Sequence, residues 1–162
     1  MENRRPILSK PTNAREMVID FLGDIMITIH TDRPPSDPEW REYIDSLRGR
    51  DLTELRSIVF TDGGAPSSKQ RKELNEFLSG TAVNGIVVSE SLAVRGVVTA
   101  LSWFNPKIKP FAPDDFQAGL TYLKILPEER EAIREAVDEM RTKLSNPDVR
   151  AIPKRFLLTS RP

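Results

Sequence analysis

The stretch EMVIDFLGDIMITIH, residues 16 to 30, decides the fold. It holds two apolar, β-branched runs, Met17 to Leu22 and Ile25 to His30, separated by Gly23-Asp24 alone. A two-residue connection of this kind closes a tight hairpin, so the runs are expected to be antiparallel strands. Side chains alternate along a strand, which puts Ile25, Ile27 and Ile29 on one face of the second run and Met26, Thr28 and His30 on the other. The isoleucine face is expected to point into the core.

Beyond the hairpin the pattern changes to strands alternating with helices. PSDPEWREYIDSL carries Trp40, Tyr43, Ile44 and Leu47 at helical spacing, with Ser36 and Glu39 spaced as a capping box. RSIVFT, 56 to 61, reads as a third strand, and Ser67 with Gln70 repeats the capping-box spacing before a helix bearing Leu74, Phe77 and Leu78. NGIVVSE is a fourth strand. SLAVRGVVTALSWF follows as a helix apolar almost all round, in which close packing is expected to justify Gly96. KIKPFAP is a short strand that Pro110 assigns to a sheet edge. Phe116, Leu120 and Leu123 mark another helix, and Ile133, Val137, Met140 and Leu144 form the buried stripe of a charged one. The order β-β-α-β-α-β-α-β-α-α predicts an α/β fold with a mostly parallel sheet and one antiparallel pair.

Composition limits what this fold carries. At 162 residues the chain suits one domain. It divides into an N-terminal arm (1 to 15), an α/β domain (16 to 125) and a C-terminal helix and tail (126 to 162). Twenty-four basic and twenty-four acidic residues cancel, which gives no global pull toward nucleic acid. The lack of cysteine removes disulfides and thiolate chemistry. No signal-peptide core and no bilayer-length apolar run is evident, so a soluble cytoplasmic protein without a membrane span is expected.

The loop TDGGAPSSKQRKEL, 61 to 74, is the stretch of most chemical interest. Gly63, Gly64, Ser67, Ser68 and Lys69 contain the ingredients of a phosphate-binding loop in the wrong order, and no dinucleotide-binding glycine pattern occurs. A helix start flanked by Lys69, Arg71 and Lys72 still favours an anion, while a capped helix after a glycine turn is the plainer reading. His30 is the sole histidine; a hydrolytic triad would need it with Asp32 or Asp62 and with Ser67 or Ser68, yet no G-x-S-x-G elbow surrounds any serine. One histidine without cysteine offers no metal site, and no cofactor motif is present. Trp103 and Phe104 would either continue the preceding helix into the core or form a pocket or contact site, and the C-terminal helix could serve dimerisation.

The element order, the loop after the third strand, and SESLAVRGVVTALSWFNPKIKPFAPDDFQAGLTYL together resemble the STAS or SpoIIAA-like group, the fold of anti-sigma-factor antagonists. The resemblance covers about residues 16 to 125 and rests on architecture. It implies a non-enzymatic module that binds another protein, such as an anti-sigma factor or kinase-like regulator. It also implies a phosphorylated serine at the start of the helix after the third strand. The family's Asp-Ser-Ser/Thr-Gly-Leu motif falls on Pro66-Ser67-Ser68-Lys69-Gln70, with Pro66 in place of Asp and Lys69 in place of Gly. Asp62, Gly63, Gly64, Ser67, Ser68, Lys69 and Arg71 are then the expected contact or modification residues. The branch of the group that resembles CRAL-TRIO domains implies an alternative, lipid or small-molecule binding beside the apolar helix.

Overall fold

The computed structural model describes residues 14 to 101 and 105 to 157. β1 (Met17–Leu22) and β2 (Ile25–His30) pair antiparallel, from Met17 opposite His30 to Leu22 opposite Ile25. Gly23 adopts φ +60°, the left-handed value that the first central position of a type II′ turn requires. Then follow α1 (Asp37–Leu47), β3 (Arg56–Thr61), α2 (Ser68–Leu78), β4 (Asn84–Val88), α3 (Leu92–Leu101) and β5 (Ile108–Phe111). α4 (Phe116–Tyr122), α5 (Pro127–Arg141) and a single turn, α6 (Lys154–Leu157), complete the order. The strands lie side by side as β1-β2-β3-β4-β5, with β2 to β5 parallel. The α/β class and the mixed sheet expected from the sequence are both present.

Each crossover advances one strand in the same direction, and right-handed crossovers of that kind put their helices on a common face. That face holds Met26, Leu47, Leu55 and Val83 in one cluster and Met17, Trp40 and Ile44 in another. The isoleucine face lies on the other side. There Ile25, Ile27, Ile29, Ile58 and Phe60 pack with Phe116, Leu120, Ile133, Val137 and Met140. All six residues of β2 are buried, so its less apolar face is covered as well as its isoleucine face. A central strand roofed on both sides needs no polar face.

The core runs without a break across residue 125. α5 lies against β1 and β2, and its stripe of Ile133, Val137 and Met140 is buried on the isoleucine face together with Leu144 just beyond its end. At roughly 1.5–3 kcal/mol for each buried aliphatic side chain, this helix is a main contributor to the fold. Arg56 ties its start to the sheet, donating to Asp24, to both Glu129 carboxylate oxygens and to the Lys124 carbonyl. Its side-chain hydrogen bonds hold the Asp24 and Glu129 carboxyls below the usual carboxylate range.

The chain departs from expectation in three places. Arg15, counted with the N-terminal arm, is bound in place: its backbone exchanges hydrogen bonds with Lys143 and Ser145, and its guanidinium pairs with Glu42 at 2.7 Å. The rest of that arm, to residue 13, lies outside the described residues. α3 is far less buried than its composition predicts. Val98 is buried, but Leu92 is 77% and Val97 59% exposed, and a Cβ built on Gly96 meets nothing within 4 Å. The close packing expected at Gly96 is absent because α3 sits over β4 and the edge strand β5, with no described element across its outer side. Trp103 and Phe104 lie outside the described residues.

Pro110 does occupy an edge strand. β4 donates from Gly85 to Lys107 and from Ser89 to Phe111, so the alternate residues Ile108 and Pro110 turn their backbone outward. The missing N–H of Pro110 therefore blunts the open edge. Among the described residues no helix is long and apolar enough to cross a membrane.

Candidate functional site

At the carboxyl end of the parallel strands, the segment from Thr61 to Arg71 joins β3 to α2, and its first half is fixed by backbone geometry. Gly63 has φ +123°, which strongly favours glycine. Gly64 donates to the Thr31 carbonyl at 2.9 Å, and a Cβ on it would stand 2.2 Å from the Arg33 carbonyl oxygen and 2.5 Å from that of Thr31. The glycine pair is thus explained by the close approach of this loop to the β2–α1 connection. Thr61 locks the turn, its hydroxyl donating to the Gly64 carbonyl and accepting from Gly63.

Asp62 is committed elsewhere. Its two carboxylate oxygens accept the backbone N–H groups of Arg150 and Ala151, each at 2.9 Å. It therefore fastens the C-terminal segment, whose Val149, Ala151 and Ile152 are buried, across the strand ends. Asp62, expected as a contact residue, is half-buried and serves as a clasp within the chain.

The second half of the segment faces solvent on a rigid base. Ser67 caps α2, accepting from Gln70 N–H at 3.1 Å, while the Gln70 carboxamide oxygen accepts from Ser67 N–H at 2.9 Å. The capping box expected from the spacing is present, as is that of Ser36 and Glu39 on α1. Gln70 does more than cap. It is 3% exposed, its amide donates to the Pro35 carbonyl and to Asp37, and its own carbonyl accepts from the Trp40 indole at 2.9 Å. These bonds fasten the start of α2 to the start of α1.

On this base Ser67, Ser68, Lys69 and Arg71 are exposed. Arg71 folds back to donate to the Pro66 carbonyl at 2.9 Å and to the Ser68 hydroxyl at 3.1 Å. The first turn of α2 contains no acid, whereas that of α1 holds Asp37 and Glu39 and that of α5 holds Glu128 and Glu129. The partial positive charge of this helix start is therefore reinforced by cations and uncompensated by carboxylates from its own first turn.

The side chains of the hydrolytic reading are not joined to one another by hydrogen bonds among the described residues. His30 is 6% exposed, its Nδ1 has no hydrogen-bond partner among the described residues, and burial pushes its pKa down to about 4, with the Glu39 carboxylate opposing that fall. The Asp62 carboxylate is held by backbone amides and the Ser67 hydroxyl by its cap; Asp62 meets His30 through its backbone N–H, which donates to the His30 carbonyl at 3.4 Å, and neither side chain bonds to the imidazole among the described residues. Nor are three or more His, Cys, Asp or Glu side chains grouped to hold a metal ion among those residues.

Sequence reasoning missed Asp62 as a clasp and Gln70 as a link between helices, because their partners lie 33 to 89 residues away. No protein-family model, curated protein or solved structure matches this chain.

Proposed function

We propose that this chain is a non-enzymatic regulatory module that binds another protein through the exposed start of α2, with phosphorylation of Ser67 or Ser68 as the switch. The observation that carries this reading is two exposed serine hydroxyls at an acid-free helix start, one of them already touching Arg71. A phosphate there adds a charge of roughly −2 beside Arg71 and the α2 amides, where such a charge is favourable. The rigid support from Thr61, Gly64 and Gln70 keeps the surface in one shape. A STAS-like architecture, as resembled by the element order, gives the same helix start its role. Gly63 and Gly64 enter as the residues that let the locked turn pass against the β2–α1 connection, and Lys69 as an exposed cation.

The test is intact-mass and peptide mapping of the protein isolated from its native cells, beside Ser67→Ala and Ser68→Ala variants. The expected result is one phosphate in a peptide spanning Ser67 and Ser68, lost in one of the two variants. An unmodified wild-type chain under all growth conditions would remove the switch.

A further inference from the structure

At the opposite end of the sheet, a cavity of about 110 Å³ lies between the strands and the last turns of α1 and α2. Met26, Leu47, Leu74, Leu78 and Val83 make its wall mostly apolar; Ser57 on β3, Tyr43 and Asn105 are its polar members, and the Asn105 amide is engaged by the Val83 carbonyl. Ser57 is 8% exposed, and its hydroxyl makes no hydrogen bond to another described residue. The hydroxyl therefore has a donor and an acceptor to offer an occupant of the space.

Opposite Ser57 in register is Gly85, which also lines the space. Its φ is not in the left-handed region, and a Cβ on it would stand an ordinary 3.4 Å from Ser57 Cβ. Neither backbone conformation nor a clash requires glycine here. What glycine provides is room beside the hydroxyl, at the cost that a glycine inside a strand carries.

We infer that this cavity binds a small, mostly apolar molecule of single-ring size carrying one hydrogen-bonding group, such as a phenol, which pairs with the Ser57 hydroxyl. The volume sets the upper limit: about 110 Å³ is somewhat less than the roughly 150 Å³ of an apolar cavity that accepts benzene, so one ring at most is admitted. The site lies at the amino ends of β2, β3 and β4, remote from the start of α2, and stands independently of the role proposed there. It also moves ligand binding away from the described side chains of α3, none of which lines the space.

The test is a titration with phenol and with benzene, followed by amide NMR shifts and by melting temperature, on wild type, Ser57→Ala and Gly85→Ala. Both probes should bind saturably to wild type and shift the amides of Ser57, Gly85 and Val87 while leaving Ser67 to Arg71 unmoved. Phenol should bind about 3- to 10-fold more tightly than benzene, the ratio one buried hydrogen bond supplies. That preference should vanish in Ser57→Ala, and both probes should bind several-fold more weakly to Gly85→Ala. Absence of saturable binding to wild type, or equal affinities in all three proteins, would overturn the assignment.

Discussion

Two residues at the carboxyl end of the sheet illustrate how local chemistry sets global stability. Gly64 has no room for a side chain: the 2.2 Å distance from a Cβ to the Arg33 oxygen is far inside van der Waals contact. Gly64→Ala must displace the β2–α1 connection, and a loss of roughly 3 kcal/mol or more is expected in urea denaturation. His30 acts through its proton. The unfolded imidazole takes up a proton below about pH 6.5, while the folded one, depressed by burial to about 4, does not. The unfolded state therefore binds more protons in that window, so stability is complete above pH 6.5 and falls as the pH drops toward 4. From pH 7 to 5 the wild type should lose about 2 kcal/mol through this group, and His30→Leu should lose much less over the same range. Comparable urea midpoints for the two proteins across that interval would contradict the buried, neutral assignment. Gln70 shows what sequence conveys and what it withholds. Its bond to Ser67 was legible because capping is an i, i+3 relation. Its bonds to Pro35 and Asp37 were not, because nothing local encodes a partner more than thirty residues away.

Among the elements, the strands and the buried stripes of α1, α4 and α5 follow from periodicity, since each stripe records the single face that must leave water. α3 is the counterexample. Leu92, Val97 and Gly96 gave it an apolar composition that predicts burial on every side, yet composition does not state how many layers cover an element. At the edge of the sheet α3 has strands beneath it and open space at Gly96. Gly96→Ala is therefore expected to be neutral or to stabilise by up to about 1 kcal/mol, through helix propensity and a less flexible unfolded chain. A thermal melt of this variant beside Gly64→Ala checks the contrast between an open glycine and a glycine under another backbone. A destabilised Gly96→Ala would mean that α3 is covered on that side in solution.

At the scale of the whole molecule, the sheet divides its chemistry between two ends. The amino end gathers the Arg56 ion network and the apolar cavity, while the carboxyl end gathers the glycine turn, the Asp62 clasp and the exposed start of α2. The fold was legible because alternating strands and helices admit few topologies once crossovers are right-handed. The proposed contact surface was legible only in outline: spacing identified the cap formed by Ser67, whereas the bonds of Asp62 join it to backbone 88 and 89 residues away, which nothing local encodes. The start of α2 is the surface we propose for partner binding. The most direct test of this proposal is to place a photo-crosslinking amino acid at Lys69 in living native cells, with the same group at exposed Glu131 on α5 as the control. The account predicts a discrete protein adduct from Lys69 that changes when Ser68→Asp is introduced, and none of the same mass from Glu131. Identical adducts from both positions, or none from Lys69, would contradict it.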